Sequence, residues 1–295
     1  MRGTISLLML MFLCSVTACA QDMSGSHNHS TPAASPASSD NMVSQEWAKQ
    51  RVEKSPRHRE WVKVKNGARE VNSFVVYPEN KNKATAVIVI HEIFGMSDWV
   101  QSLTDQLAEA GYVAIAPDLL SGMGPNGGGT SSLTGNAVGQ AIRDLPPDQI
   151  TADLNAVADY ISKVPAANGK VVVTGYCWGG SQSFRYATNN PNVKAAFVFY
   201  GSAPASADGT PDKTALAKIK APVYGFYAGN DARINATLPK TTEAMTELKK
   251  TFDPVTYEGA GHGFMRAGEA PDANEANKKA RDDAWVRWKK ILAGI

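Results

Sequence analysis

Two kinds of hydrophobic pattern alternate along this chain, short runs of apolar residues and longer stretches with helical periodicity. Ala84–Ile90 is a nearly continuous apolar run, which predicts a parallel strand buried on both faces. Ser97 and Asp98 can cap an amphipathic helix that continues to Ala110 and stops at a glycine. A second apolar run covers residues 112–116. This succession of strand, helix and strand predicts βαβ units.

The same alternation extends over most of the chain. Apolar and polar residues alternate in residues 61–64 and 71–77, which predicts two antiparallel strands joined by a turn at Asn66-Gly67. Helical patterns cover residues 43–54, 137–144, 147–164, 238–250 and 274–292, and further strand patterns cover residues 195–200, 222–227 and 255–257. We therefore predict an α/β fold in which a mostly parallel central sheet carries helices on both faces.

The most distinctive stretch is K-V-V-V-T-G-Y-C-W-G-G-S, residues 170–181. Three valines run into a turn in which Gly175 and Gly179 stand two positions either side of Cys177, and an apolar helical segment follows. This is the pattern of a nucleophile elbow, with cysteine in place of the usual serine. A helix N-terminus at Cys177 would favour a thiolate. The alternative is a buried cysteine that packs as a small hydrophobe in a glycine-rich turn.

Length and charge limit the classes of protein to consider. With 295 residues and 43% hydrophobic content, the chain can bury a large core, and we expect one catalytic domain. Thirty basic side chains against 28 acidic ones give a formal net charge of +2, so nothing in the charge favours nucleic acid as a partner.

The first residues resemble a bacterial export signal. Arg2 supplies a positive charge, residues 5–13 an apolar core, and V-T-A-C a lipobox ending at Cys19. In such signals the cysteine is acylated and anchors the protein to a membrane, so we expect an exported lipoprotein of the cell envelope. An ordinary secretory signal cut near Ala20, which would make the protein periplasmic or secreted, is the alternative.

The rest of the chain divides into a tether and a domain. Residues 20–55 read as a flexible tether with a short helix, and residues 56–295 as the catalytic domain. His27 and His29 lie in the tether and are weak evidence for a metal, so we predict none. Removing the signal leaves Cys177 as the only thiol besides an acylated Cys19. Since exported proteins usually use cysteines in pairs, a solitary one in an elbow indicates chemistry.

An elbow nucleophile needs a base and an acid that orients the base, both placed at later strand ends in the order nucleophile, acid, histidine. Asp231 and His262 follow late strands in that order. The chain has five histidines, of which two lie in the tether and His58 precedes the sheet. The structural alternatives are a helix cap for Asp231 and a turn histidine that binds loop carbonyls for His262.

Four motifs together resemble the dienelactone hydrolase family, from about Trp61 to the C-terminus: G-Y-C-W-G-G, H-E-I-F-G, N-D-A-R-I and G-A-G-H-G-F-M-R. The resemblance implies an α/β-hydrolase fold and a Cys-His-Asp triad that opens enol-lactones such as dienelactone. Matching positions assign these roles: Cys177 as nucleophile, His262 as general base, Asp231 as its partner, Glu92 as the carboxylate that holds and activates the thiol, the N–H groups of Trp178 and Ile93 as the oxyanion hole, and Arg266 as a ligand of the substrate carboxylate.

The chain departs from the family in one respect. Family members carry a second carboxylate-binding arginine before the elbow, whereas residues 137–160 contain only Arg143, which reads more simply as an exposed helix charge. We expect a monomer that acts on a small ester or lactone without a cofactor. A broad carboxylesterase and a non-catalytic binding lipoprotein stay open as alternatives. Thiol redox sensing is disfavoured because no resolving cysteine remains.

Overall fold

The computed structural model describes residues 45–295, which form a mixed eight-stranded sheet in the order β1-β2-β4-β3-β5-β6-β7-β8. The strands are β1 (Arg59–Asn66), β2 (Arg69–Val76), β3 (Ala84–Ile90), β4 (Val113–Pro117), β5 (Ala167–Tyr176), β6 (Ala196–Phe199), β7 (Val223–Ala228) and β8 (Phe252–Tyr257). β2 pairs antiparallel with β1 and β4, and every other pairing is parallel. The predicted parallel sheet with an antiparallel pair at one edge is confirmed.

Helices connect the parallel strands. They are α1 (Glu46–Glu53), α2 (Asp98–Glu109), α3 (Ala137–Asp144), α4 (Pro147–Lys163), α5 (Trp178–Asn189), α6 (Lys213–Leu216), α7 (Ala232–Asn235), α8 (Leu238–Glu247), α9 (Phe264–Ala267) and α10 (Glu275–Leu292). The long helices match the predicted patterns, whereas the four-residue helices α6, α7 and α9 are additions. A single helical turn shows no periodicity, so the hydrophobic pattern cannot reveal it.

The sheet is covered on both faces by hydrophobic side chains. Successive residues of a strand point to opposite faces, and β3 divides accordingly: Ile88 and Ile90 belong to one cluster, and Val87 and Val89 to the other. All seven residues of β3 are buried. This explains why the run is apolar throughout rather than alternating.

Helix α1 packs on the domain rather than standing apart from it. Ala48 is fully buried, and the Gln45 backbone N–H donates to Asp98 Oδ2 over 2.8 Å. The Trp99 N–H in turn donates to Gln45 Oε1 over 3.2 Å. The folded unit therefore includes residues that the sequence analysis grouped with the tether before residue 56. The predicted signal, its Cys19, and the tether histidines His27 and His29 lie outside the described residues.

Among residues 45–295, no helix is both long and apolar enough to cross a membrane. Across the same residues, no group of three or more histidine, cysteine, aspartate or glutamate side chains is arranged to hold a metal ion.

The topology brings four strand ends to one edge of the sheet. Glu92 follows β3, Cys177 follows β5, Asp231 follows β7 and His262 follows β8. Because β3, β5, β6, β7 and β8 are parallel neighbours, these residues all come from carboxyl ends, where open α/β sheets bind their ligands.

Candidate active site

Cys177 occupies a sharp turn between β5 and α5. Its φ of 55° and ψ of −117° lie in a region that residues with a side chain rarely adopt. The turn is held because the Cys177 N–H donates to the Phe199 carbonyl over 3.1 Å and the Ser181 N–H donates to the Cys177 carbonyl over 3.2 Å. This is the geometry of the predicted nucleophile elbow.

Close backbone contact explains the two glycines of the elbow. A Cβ on Gly175 would lie 1.9 Å from the Gly179 carbonyl oxygen, and one on Gly179 would lie 2.3 Å from the His91 carbonyl oxygen. No larger residue fits either position without moving the strand or the helix. The G-x-C-x-G pattern therefore reflects the approach of α5 to β5 and to the loop after β3.

Asp231 and His262 form a short hydrogen bond. His262 Nδ1 lies 2.5 Å from Asp231 Oδ2, and the aspartate side chain is almost fully buried. Asp231 Oδ1 also accepts the Ile234 N–H over 3.3 Å and so caps helix α7. The two interpretations of Asp231 are compatible, since one oxygen caps a helix while the other binds the imidazole. With Nδ1 engaged, Nε2 of His262 is the nitrogen left for proton transfer.

The Cys177 thiol lies in a pocket that opposes its ionisation. Burial and then the negative charge of Glu92 raise the pKa of the thiol to about 11. Hydrogen bonds from the N–H groups of Trp178 and Ile93, and the charge of Arg233, act in the opposite direction but are weaker. The N–H at the start of α5 favours the thiolate, as expected, but burial and the neighbouring carboxylate of Glu92 outweigh it and leave the pKa of the thiol raised.

The same contacts place two backbone N–H groups at the sulfur. The N–H groups of Trp178, at the start of α5, and of Ile93, in the loop after β3, both point at the Cys177 sulfur. The structure brings Cys177 to the N–H pair and to Glu92. Asp231 and His262 form a second group, and Tyr200 interacts with both groups, since its ring lies against His262 and its hydroxyl interacts electrostatically with the thiol.

Glu92 and Arg266 form a buried ion pair. Arg266 Nε donates to Glu92 Oε2 over 2.7 Å, and only 2% of the Glu92 side chain is exposed. Burial is the largest single influence on the pKa of Arg266 and lowers it, but the charge and the hydrogen bond of Glu92, with smaller contributions from Tyr200 and Cys177, together raise the pKa above its usual value. The guanidinium also lies over the Phe94 ring, 5.3 Å from its centroid. Arg266, which the sequence assigns to a substrate carboxylate through the family resemblance, is bound to Glu92 in this structure.

Three residues near the thiol were not predicted. Tyr200 follows β6 with φ of 41°, is fully buried, and sets its ring edge-on to His262 with centroids 5.0 Å apart. Its hydroxyl has no hydrogen-bond partner among residues 45–295. Arg233 affects the thiol by charge, and His91 is buried beside Glu92. His91 and Arg233 lie within the motifs H-E-I-F-G and N-D-A-R-I, so the sequence marked their positions but not their roles, whereas Tyr200 had no sequence signal.

A cavity of about 610 Å³ lies against Ile93. Ile93 and Phe94 form one wall, and Val138, Gly139 and Arg143 of helix α3 form another. Ile93 therefore belongs both to the wall of this cavity and to the N–H pair that faces the Cys177 sulfur. Arg143 is exposed, as predicted, and also lines the cavity.

The parallel sheet with a nucleophile elbow and an Asp-His pair at its carboxyl edge defines the chain as an α/β hydrolase. Residues 71–295 match the model of the dienelactone hydrolase family. The chain belongs to the dienelactone hydrolase family and is a hydrolase that acts on ester bonds. The predictions of family, fold and enzyme class are thereby confirmed.

Individual relatives agree with this assignment. A Methylorubrum extorquens protein named "Putative carboxymethylenebutenolidase" is 31% identical over 228 residues, covering 74% of this chain and 76% of the relative. One of the same name from Saccharolobus solfataricus is 30% identical over 258 residues, covering 77% and 95%. A solved Klebsiella pneumoniae structure named "Putative Dienelactone Hydrolase" has a TM-score of 0.70 and 26% identity, covering 81% of this chain and 99% of that one.

Proposed function

We propose that this protein is an exported hydrolase that cleaves a small ester or lactone through Cys177, His262 and Asp231. The observation that carries the proposal is the 2.5 Å bond between His262 Nδ1 and Asp231 Oδ2 beside a cysteine in elbow geometry. A histidine oriented by a buried carboxylate is the base that an elbow nucleophile requires.

The first step is release of the thiol proton. In the resting site the thiol is protonated, and Glu92 is occupied by Arg266. A substrate carboxylate or polar ester group that binds Arg266 draws the guanidinium away from Glu92, and the freed carboxylate can then accept a proton. Glu92 takes the thiol proton, and the thiolate turns from the N–H pair toward the substrate carbonyl. This gives Glu92 and Arg266 the holding, activating and binding roles proposed for them.

Acyl transfer follows. The sulfur forms a bond to the carbonyl carbon, and the carbonyl oxygen becomes an oxyanion. This oxyanion accepts hydrogen bonds from the N–H groups of Trp178 and Ile93, which the sulfur no longer occupies. Each such donor contributes on the order of 3 kcal/mol to lowering the barrier. Collapse of this intermediate breaks the carbon–oxygen bond of the ester, the leaving oxygen takes the proton that Glu92 received from the thiol, and an acyl-thioenzyme remains. His262 Nε2 then takes a proton from water and the resulting hydroxide attacks the thioester. The carbon–sulfur bond breaks, the acid is released, and the Cys177 thiolate takes the proton from His262, which restores the resting site.

The substrate class follows from the walls of the site. Phe94, Ile93 and Val138 line the cavity with apolar surface. Arg266, whose guanidinium lies over the Phe94 ring, supplies a buried positive charge next to it. This combination favours a compact acyl group that carries a carboxylate, as in an enol-lactone. The apolar wall also supports the second candidate, a carboxylesterase that accepts neutral esters, because such esters need no cation to bind.

A substrate panel on the signal-free protein tests the proposal. We expect turnover of lactones and short aryl esters, and a loss of at least about a thousandfold in kcat for Cys177→Ala. The Asp231→Asn variant keeps the helix cap and serves as a folded control with an impaired base. Full activity of Cys177→Ala would show that another residue is the nucleophile. A higher kcat/KM for carboxylate-bearing substrates separates the lactonase from the carboxylesterase.

We further propose that residues 1–19 are a signal peptide whose Cys19 is acylated, so that a lipid holds the domain at the cell envelope. The lipobox and the polar segment after it support this. Cells fed labelled palmitate are expected to label the wild-type protein and not the Cys19→Ala variant. Equal labelling of both, or none of either, would contradict the anchor. We propose a monomer, which light scattering of the signal-free protein tests.

A further inference from the structure

His91 lies between the two residues that point N–H groups at the nucleophile. It directly follows β3, and its side chain is fully buried. One ring nitrogen, Nδ1, is 2.9 Å from the Glu92 carbonyl oxygen. The other, Nε2, is 3.3 Å from the backbone nitrogen of Leu119, in the segment after β4. The mechanism above gives this histidine no role.

These partners define which ring nitrogen carries the proton. The Leu119 N–H can only donate, so Nε2 accepts and the proton of a neutral ring sits on Nδ1. Burial lowers the pKa of His91, which keeps the ring neutral even though Asp118 and Glu92 oppose this. Nδ1–H therefore donates to the Glu92 carbonyl.

That carbonyl belongs to the same peptide unit as the Ile93 N–H. A trans peptide is planar, and its C=O and N–H point in opposite directions. A donor that holds the Glu92 carbonyl therefore also aims the Ile93 N–H. The Gly95 N–H donates to the same oxygen over 3.1 Å, so two bonds share this work.

His91 also contacts the second donor residue. Its ring stacks on the Trp178 indole, with centroids 5.5 Å apart and an angle of 15° between the planes. Trp178 begins helix α5 and supplies the other N–H that faces the sulfur. A single buried ring thus joins the loop after β3 to the first turn of α5.

We propose that His91 is a positioning residue that sets the geometry of the oxyanion hole by the hydrogen bond from its Nδ1–H to the Glu92–Ile93 peptide, while stacking on Trp178 only holds the imidazole in place. The proposal rests on the proposed function, which assigns the oxyanion to these two N–H groups. It predicts that the Nδ1–H bond, rather than the whole imidazole, is what turnover requires.

Three variants test the hydrogen bonds of the two ring nitrogens separately. Asparagine places its amide nitrogen near the position of Nδ1, so His91→Asn keeps a donor for the Glu92 carbonyl and loses the acceptor for Leu119. Glutamine reaches the position of Nε2, so His91→Gln keeps that acceptor and loses the Nδ1 donor. His91→Leu loses both.

We expect kcat to stay within about threefold of wild type in His91→Asn and to fall roughly 10-fold to 100-fold in His91→Gln and His91→Leu, with KM within about twofold. The melting temperature should not follow this order, because both polar variants lose one buried bond. Loss of kcat in proportion to melting temperature, or better activity in His91→Gln than in His91→Asn, would overturn the proposal.

A second readout does not depend on turnover. In wild type and His91→Asn, the Ile93 amide should give a sharp NMR signal at the same position. In His91→Gln it should shift and broaden through μs–ms exchange. An unchanged Ile93 signal in His91→Gln would overturn the positioning role even if no ester proved to be a substrate. Wild-type turnover tests the proposed function separately, so the two failures are distinguishable.

Discussion

Two opposing sets of neighbours determine the protonation of the Cys177 thiol. Two backbone N–H groups and Arg233 favour the thiolate, whereas burial and Glu92 disfavour it and prevail. A cysteine at a helix N-terminus is therefore not activated by that position alone. The activating event must change the surroundings, and displacement of Glu92 from Arg266 is the change that the buried ion pair allows.

This balance predicts the pH dependence of alkylation. The rate of reaction of free enzyme with iodoacetamide should rise with pH to a midpoint near 11, where the raised pKa places the thiolate. Glu92→Gln should lower the midpoint, since it removes a negative charge and leaves the positive charge of Arg266. A wild-type rate that already levels off near pH 8, or an upward shift in Glu92→Gln, would contradict the electrostatic account.

The raised pKa of Cys177 also changes how slow alkylation of this thiol is interpreted. From the sequence, an unreactive Cys177 at neutral pH favours a binding protein over an enzyme. With Glu92 beside a buried sulfur, slow alkylation at neutral pH is what the resting enzyme should show. Turnover, rather than thiol reactivity, therefore separates the two functions.

Among the elements, the turn from β5 to α5 shows how far local sequence determines the site. The valines, the two glycines and the helical segment predict the elbow because each requirement is local: a buried strand, close backbone contact and a helix start. The short helix α7 is different, since its only sequence signal is Asp231. An aspartate at this position suits both a helix cap and a partner of the catalytic histidine, so the sequence could not show which of the two roles Asp231 has.

The roles of residues in the loop after β3 could not be inferred from the hydrophobic pattern. Glu92 and Ile93 could be assigned only through resemblance to the family, because a residue in a loop has no periodicity from which to infer its direction. The role of His91 emerges only when Leu119 and Trp178 are seen on either side of its ring. These contacts join segments that lie 28 and 87 positions apart in the chain.

For the molecule as a whole, the long elements and their order were predictable, because buried parallel strands read as apolar runs between amphipathic helices. The convergence of residues after β3, β5, β7 and β8 followed from the parallel order. What the sequence could not show is the protonation of the thiol, the pairing of Arg266 with Glu92, and the folding of α1 onto α2. Each depends on which surfaces meet after folding.

The central claim is that the Cys177 sulfur carries the acyl group, and intact mass after rapid acid quench tests it most directly. Wild-type protein and His262→Gln are mixed with an aryl ester, and the adduct is mapped by peptide digestion. We expect a mass increase equal to the acyl group on the peptide that contains Cys177, longer-lived in His262→Gln and absent in Cys177→Ala. Turnover without any adduct on that peptide, or an adduct that persists in Cys177→Ala, would contradict the account.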